Sequence, residues 1–188
     1  MDEKTLRNIC SNNELLSEYF AGIETWRNIP ASNIQLHKIG SFVIINFENS
    51  HWFAIQKIKW NKMLIFDSFG GEFIPSKKSL AKASSHLSSP HAKSISLDFV
   101  VSKSRSLQTI NALTCGEHVI NFLLYSCKMM KKLGQIKNNY ASKLLQLVKK
   151  LKISSDIYVW NEIYNIMQLA PKPNLNKVCG WYENIMKF

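Results

Sequence analysis

Apolar positions recur along the chain with two periods, and the switches between them divide it into a series of elements. Leu15, Leu16, Tyr19 and Phe20 fall on one side of a helical projection, which predicts an amphipathic helix over residues 3–20. A turn-rich connection through Gly22, Asn28 and Pro30 follows. The run FVIINF over 42–47 reads as a buried strand. Residues 52–59 and 63–66 read as the arms of a hairpin turning at Asn61-Lys62, and Gly70-Gly71 ends that unit. A short Ser-rich helix is predicted over 77–87 and another strand over 95–101. Helical periodicity resumes at Cys115, with Val119, Ile120, Leu123, Leu124, Cys127 and Met130 on one side. Two more helices, near 140–151 and 156–169, precede a tail whose Trp181 and Tyr182 predict packing back onto the body.

This mixed order predicts an α+β fold. The 188 residues, 46% of them hydrophobic, suffice for one domain with a sizeable core. The expected division is a core over about 1–130 and a basic helical part over about 131–188. No stretch approaches the roughly 18 apolar residues of a membrane span, and Met-Asp-Glu-Lys at the start does not resemble a signal peptide. A soluble protein without a membrane partner is the expectation. Cys10, Cys115, Cys127 and Cys179 form no CxxC pair, which predicts reduced thiols in an intracellular compartment. The five histidines show no ligand spacing, so no metal site is expected.

Charge changes the picture. The formal net charge is +11, and it is unevenly spread. No acid occurs from His118 to Ser155, whereas Lys128, Lys131, Lys132, Lys137, Lys143, Lys149, Lys150 and Lys152 do. A second basic block holds Lys77, Lys78, Lys82, Lys93, Lys103 and Arg105, with Asp98 its one acid. Lysines on amphipathic helices are usually a solvated face. Two blocks nearly free of acids favour a polyanionic partner instead, most simply DNA, with Lys128, Lys131, Lys132, Lys149 and Lys150 as the expected contacts.

The candidate chemistry centres on QTINALTCG, which ends at Cys115-Gly116 where the long helix begins. A thiolate there faces the positive end of the helix dipole and unpaired N–H groups. Gly116 leaves the backbone open to a substrate carbonyl, and Gln108 can aim an amide at an oxyanion. Taken alone, a Cys at a helix start is a packing residue. His51 and Asp67 alter that balance, because they stand at the start of one hairpin arm and the end of the other. Antiparallel pairing brings such ends together, giving a base and its orienting carboxylate beside the thiol.

With these motifs in hand, the chain resembles the adenovirus-type cysteine proteases, which are related to the ubiquitin-like-protein proteases. The likeness covers about the first 130 residues through YFAGIETWRNIP, HWFAI, FDSFG and QTINALTCG, in family order. It implies His51 as base, Asp67 as orienter, Gln108 as oxyanion donor and Cys115 as nucleophile, with Trp52 bordering the cleft and Gly116 beside the oxyanion. It further implies a small mixed sheet clasped by helices and a papain-like active site in permuted order. The implied activity is cleavage of virion and core precursor proteins at Gly-containing sites by a monomer, assisted by DNA, in the virion and host-cell nucleus. The chemistry needs no cofactor. Ser94 stands where the family's peptide-bonding cysteine would fall, which argues against a disulfide-linked activating peptide. His118, three positions beyond Cys115, is expected at the surface. Two other readings remain: a deconjugating protease of ubiquitin-like proteins, and a non-catalytic DNA-binding virion protein.

Overall fold

The computed structural model describes residues 1–69, 75–88, 96–99, 115–133 and 140–146. Its frame is a five-stranded sheet of β1 (Phe20–Thr25), β2 (Phe42–Phe47), β3 (His51–Lys59), β4 (Lys62–Phe66) and β5 (Ser96–Phe99), hydrogen-bonded in chain order. β2, β3 and β4 form an antiparallel meander, while β1 and β5 run parallel to their neighbours β2 and β4. The helices are α1 (Glu3–Asn12), α2 (Glu14–Ser17), α3 (Lys77–His86), α4 (Cys115–Leu133) and α5 (residues 140–146), with a 3-10 segment at Trp26–Ala31. The mixed α+β architecture expected from the sequence is present.

The central strands are almost wholly buried because helices cover both faces of the sheet. Alternate residues go to opposite sides: Phe42, Ile44, Trp52, Ala54, Ile58, Leu64 and Phe66 pack with α1, α2, α4 and α5. Val43, Ile45, Phe53, Ile55, Met63 and Ile65 pack with Ile29, Leu36 and the α3 residues Leu80 and Ala83. α4 is the central helix, buried at 14 of its 19 positions. Its Phe122 stacks on Phe66, ring centroids 4.3 Å apart and planes within 5°. Phe122→Ala is expected to cost about 3–5 kcal/mol, the usual range for emptying a buried aromatic site. Urea unfolding measures it; a loss below about 1 kcal/mol would mean the cavity collapses freely.

A buried polar chain sets where α4 lies along the sheet. Ser126 Oγ donates to Gln56 Oε1 at 2.6 Å, and Gln56 Nε2 donates to the Gly40 carbonyl at 2.9 Å. The Tyr140 hydroxyl, 2.7 Å from Ser126 Oγ, then acts as donor and ties in α5. With Ser126 opposite Gln56 and Gly116 against Trp52, α4 runs alongside β3 in the same direction. The start of α4 therefore lies at the same end of the sheet as the start of β3.

Several elements depart from the sequence expectation. The single helix over 3–20 is broken at Asn13, whose side chain accepts from Leu15 N and Leu16 N and so starts α2 afresh. The segment read as a turn-rich connection contains β1, a strand interrupted by Gly22 and formed by pairing with β2. The β3–β4 turn falls at Trp60-Asn61, one residue earlier than expected. Gly70-Gly71, the helix over 156–169, and Trp181 and Tyr182 lie outside the described residues.

Candidate active site

His51 owes its position to the turn before it. Glu48 and Asn49 both take positive φ, 54° and 56°, and Ser50 N donates to the Phe47 carbonyl at 3.1 Å. Two successive left-handed residues suit the twist of a β-hairpin, and Asn tolerates that conformation better than most residues. The turn pairs Phe47 with His51 at the head of β3.

Asp67 arrives from the other arm. β3 and β4 pair Ala54 with Phe66, and extending that register sets Asp67 opposite Phe53 and Phe69 opposite His51. Asp67 is thus a diagonal neighbour of His51 across the ladder, near enough for side chains to meet. They do: His51 Nε2 lies 2.7 Å from Asp67 Oδ1. The same carboxylate oxygen accepts from Phe69 N at 2.9 Å, which fixes its direction. The pair is nearly dry, with 4% and 2% of the side-chain surfaces exposed. Phe69 and Phe53 flank the imidazole at centroid distances of 5.0 and 6.4 Å.

In the neutral ring Nε2, engaged by a carboxylate, carries the proton, and the lone pair is on Nδ1; the second proton of the charged ring therefore sits on Nδ1. Nδ1 is buried and makes no hydrogen bond of regular geometry. Cys115 nevertheless acts on the charge of this ring. Burial, the largest influence, lowers the His51 pKa, but hydrogen bonds and charge from Asp67 and Cys115 outweigh it and raise it to about 9.

Cys115 is the first residue of α4, with 6% of its surface exposed. Gly116 follows it beneath Trp52. A Cβ placed on Gly116 would lie 3.0 Å from Met1 Cβ and 3.6 Å from Trp52 Cδ1, so the absence of a side chain lets α4 approach the core here. Trp52 points to the opposite side of β3 from Phe53, is 8% exposed, and donates through Nε1 to the Met1 carbonyl at 3.0 Å. The structure therefore brings His51, Asp67, Cys115, Trp52 and Gly116 to one end of the sheet. Gln108, Lys149 and Lys150 lie outside the described residues. Lys128 is half-buried, and Lys131 and Lys132 are exposed in the last turn of α4, away from the cysteine.

His118 is a correction. It is buried, 4% exposed, because α4 is covered on nearly every side. Its Nε2 has no hydrogen-bond partner, and burial pulls its pKa down to about 4. The folded state holds it neutral while the unfolded chain protonates near 6.5. Stability should thus fall as pH drops from about 6.5 towards 4. Chemical unfolding across that window should show a shallower fall in His118→Gln than in the parent; parallel curves would remove His118 as a cause.

Among the described residues no group of three or more potential metal ligands converges, and no helix is long and apolar enough to cross a membrane. Cys10, Cys115 and Cys127 are free thiols. Burial raises Cys10 to about 12 and pushes Cys127 further up, so neither is set up as a nucleophile. The walls of the site, Phe53 and Phe69, stand two residues beyond His51 in HWFAI and two beyond Asp67 in FDSFG, and this spacing is the sequence signal for them.

No family model matches the sequence, and no curated protein does. One similar solved structure is the central domain of the uncharacterized Lpg1148 protein from Legionella pneumophila. The similarity spans 100% of this chain and 98% of that one, at 11% identity and a TM-score of 0.44.

Proposed function

We propose that this protein is a cysteine endopeptidase of the adenovirus type, with His51 as base, Asp67 as orienter and Cys115 as nucleophile. The observation that carries the reading is the buried His51–Asp67 contact of 2.7 Å, which leaves Nδ1 as the ring position free for the thiol at the start of α4. In the reaction, Sγ of Cys115 attacks the scissile carbonyl carbon, and its proton resides on His51. Collapse of the tetrahedral oxyanion breaks the C–N bond, and the imidazolium hands its proton to the leaving amine. His51 then takes a proton from water, whose oxygen displaces the thiolate from the thioester and releases the acid. Gln108 and the backbone N–H groups at the start of α4 are the proposed oxyanion donors.

Gly-containing sites in virion or core precursors are the proposed substrates, and DNA the proposed activator. The test is cleavage of a fluorogenic Gly-Gly peptide with and without DNA, beside a ubiquitin-like precursor fusion and a thiol-directed peptide electrophile. Peptide cleavage and labelling support the reading. Cleavage confined to the fusion shifts it to a deconjugating protease. An electrophile that leaves Cys115 unmodified while both substrates stay intact overturns the enzyme reading.

A further inference from the structure

The two positions expected to border an open cleft, Trp52 and Gly116, are both occupied by Met1. Trp52 Nε1 donates to the Met1 carbonyl at 3.0 Å. A Cβ on Gly116 would lie 3.0 Å from Met1 Cβ, so the Met1 side chain rests on the Gly116 backbone itself. Glu117 Oε1, one residue further along α4, is 3.8 Å from Met1 N. Met1 is thus lodged against the residue that follows the nucleophile, with its carbonyl, side chain and nitrogen all engaged. The site is correspondingly closed, for Cys115, His51, Trp52 and Gly116 are all buried. A scissile carbonyl brought to Sγ and to the N–H groups at the start of α4 comes up to Gly116, and the peptide around it needs the space that Met1 fills.

Met1 can leave without disturbing the fold. It stands outside α1, which begins after Asp2. Asp2 is fixed to the helix: its Oδ1 accepts from Thr5 N at 2.7 Å and its carbonyl from Leu6 N at 3.1 Å. The buried Leu6 and Cys10 in turn hold α1 to the body. Asp2 itself is extended, φ −88° and ψ 168°, so rotation about its N–Cα bond swings Met1 off Gly116 while the helix keeps its cap. The closed arrangement also leaves two acceptors beside Met1 without partners. Glu117 Oε2 and Asn46 Oδ1 are both buried and unbonded. Asn46 pairs with Trp52 across β2 and β3, on the side of the sheet that faces α4. Buried acceptors are seldom left so, and the N–H groups of an extended peptide are the donors they lack.

We propose that Met1 is a strap that closes the cleft over Cys115 in the free protein and must swing away before the thiol can be reached. A peptide entering the cleft takes its place: a main-chain carbonyl accepts from the Trp52 indole in place of the Met1 carbonyl, and main-chain N–H groups meet Asn46 and Glu117. What displaces the strap is then an extended main chain, whatever its side chains. Opening of this kind gates access to a site without altering its chemistry. The inference rests on the peptidase reading for what enters, whereas the closure itself is a matter of access to the thiol and is measured without turnover.

The test follows alkylation of Cys115 by iodoacetamide in the full chain, read by peptide mass mapping, with the buried Cys10 and Cys127 as internal controls. The reagent is small and needs no substrate contacts, so its rate reports how often the cleft is open. Trp52→Phe keeps a ring and removes the bond to the Met1 carbonyl. Alkylation of Cys115 should rise roughly 2- to 13-fold, the worth of one neutral hydrogen bond. Met1→Gly, made by cleaving a removable fusion directly before position 1, takes the side chain off Gly116 and should raise the rate as well. The two changes together should gain less than the product of their separate effects, because both release the same strap. An unchanged rate in both variants overturns the proposal, and so does a rise confined to Trp52→Phe. A rise matched at Cys10 and Cys127 overturns it too, since that is a loosened core. The same proteins are scored on the Gly-Gly peptide: faster alkylation with no cleavage in any of them keeps the strap and overturns the peptidase reading alone.

Discussion

Cys115→Ala should leave the fold in place and remove peptide cleavage altogether, a loss of about 10⁴-fold or more by analogy with other nucleophile deletions. The side chain is small and stands at the first turn of α4, so alanine keeps the helix and most of its packing. What disappears is the atom that must bond to the scissile carbon. The thiol is also one of the groups that raise the His51 pKa. The variant should therefore show a lower imidazole pKa by NMR titration, a readout independent of substrate choice. Wild-type turnover in Cys115→Ala would sink the mechanism; an unmoved imidazole would mean that thiol and ring do not interact.

Asp67→Asn should cost almost as much, about 10⁴-fold in kcat if the triad logic of other hydrolases applies. The amide matches the carboxylate in size, but its oxygen keeps the bond from Phe69 N only when that oxygen also faces Nε2. Presented with its NH₂, it makes Nε2 an acceptor and moves the ring proton to Nδ1, on the side where the thiol proton must be taken up. A smaller loss would follow if the amide oxygen kept facing Nε2. The substitution also removes the carboxylate's share of the forces raising the His51 pKa above 6.5.

The pH dependence has a definite sign. A histidine raised from 6.5 to about 9 in the folded state contributes stability in full below about 6.5, and that contribution is lost as pH rises through about 9. Unfolding free energy in the wild type should decline over that window, and Asp67→Asn should flatten the decline. Thiol alkylation rates through the same range test whether the Cys115 pair titrates with the imidazole. Identical profiles for the two proteins would separate Asp67 from the titration.

Much of the sheet was legible in the sequence for a simple reason. FVIINF and HWFAIQKIK are dense in β-branched and aromatic residues that can be buried on both faces, and the two arms of the meander needed only a short turn to pair. The length of α4 was equally plain from its apolar repeat. β1 was not, because FAGIET has a glycine where a strand pattern would continue and exists as a strand by virtue of the β2 edge. The break at Asn13 was hidden for a related reason. The apolar spacing runs on across it, and a side-chain cap restarts the helix.

At the site, the identities of His51, Asp67 and Cys115 and their placing at element ends belong to the sequence alone, since local chemistry and periodicity suffice to mark them. Tertiary structure decided what no spacing contains: that the carboxylate meets Nε2 and leaves Nδ1 buried and unbonded, that Phe53 and Phe69 keep the pair dry, and that His118 lies inside. The physical reason is that pattern records which side of an element is apolar. Which atom faces which across two elements depends on strand register and on where a helix settles along a sheet. Here β3–β4 pairing and the Gln56–Ser126 bond made those choices.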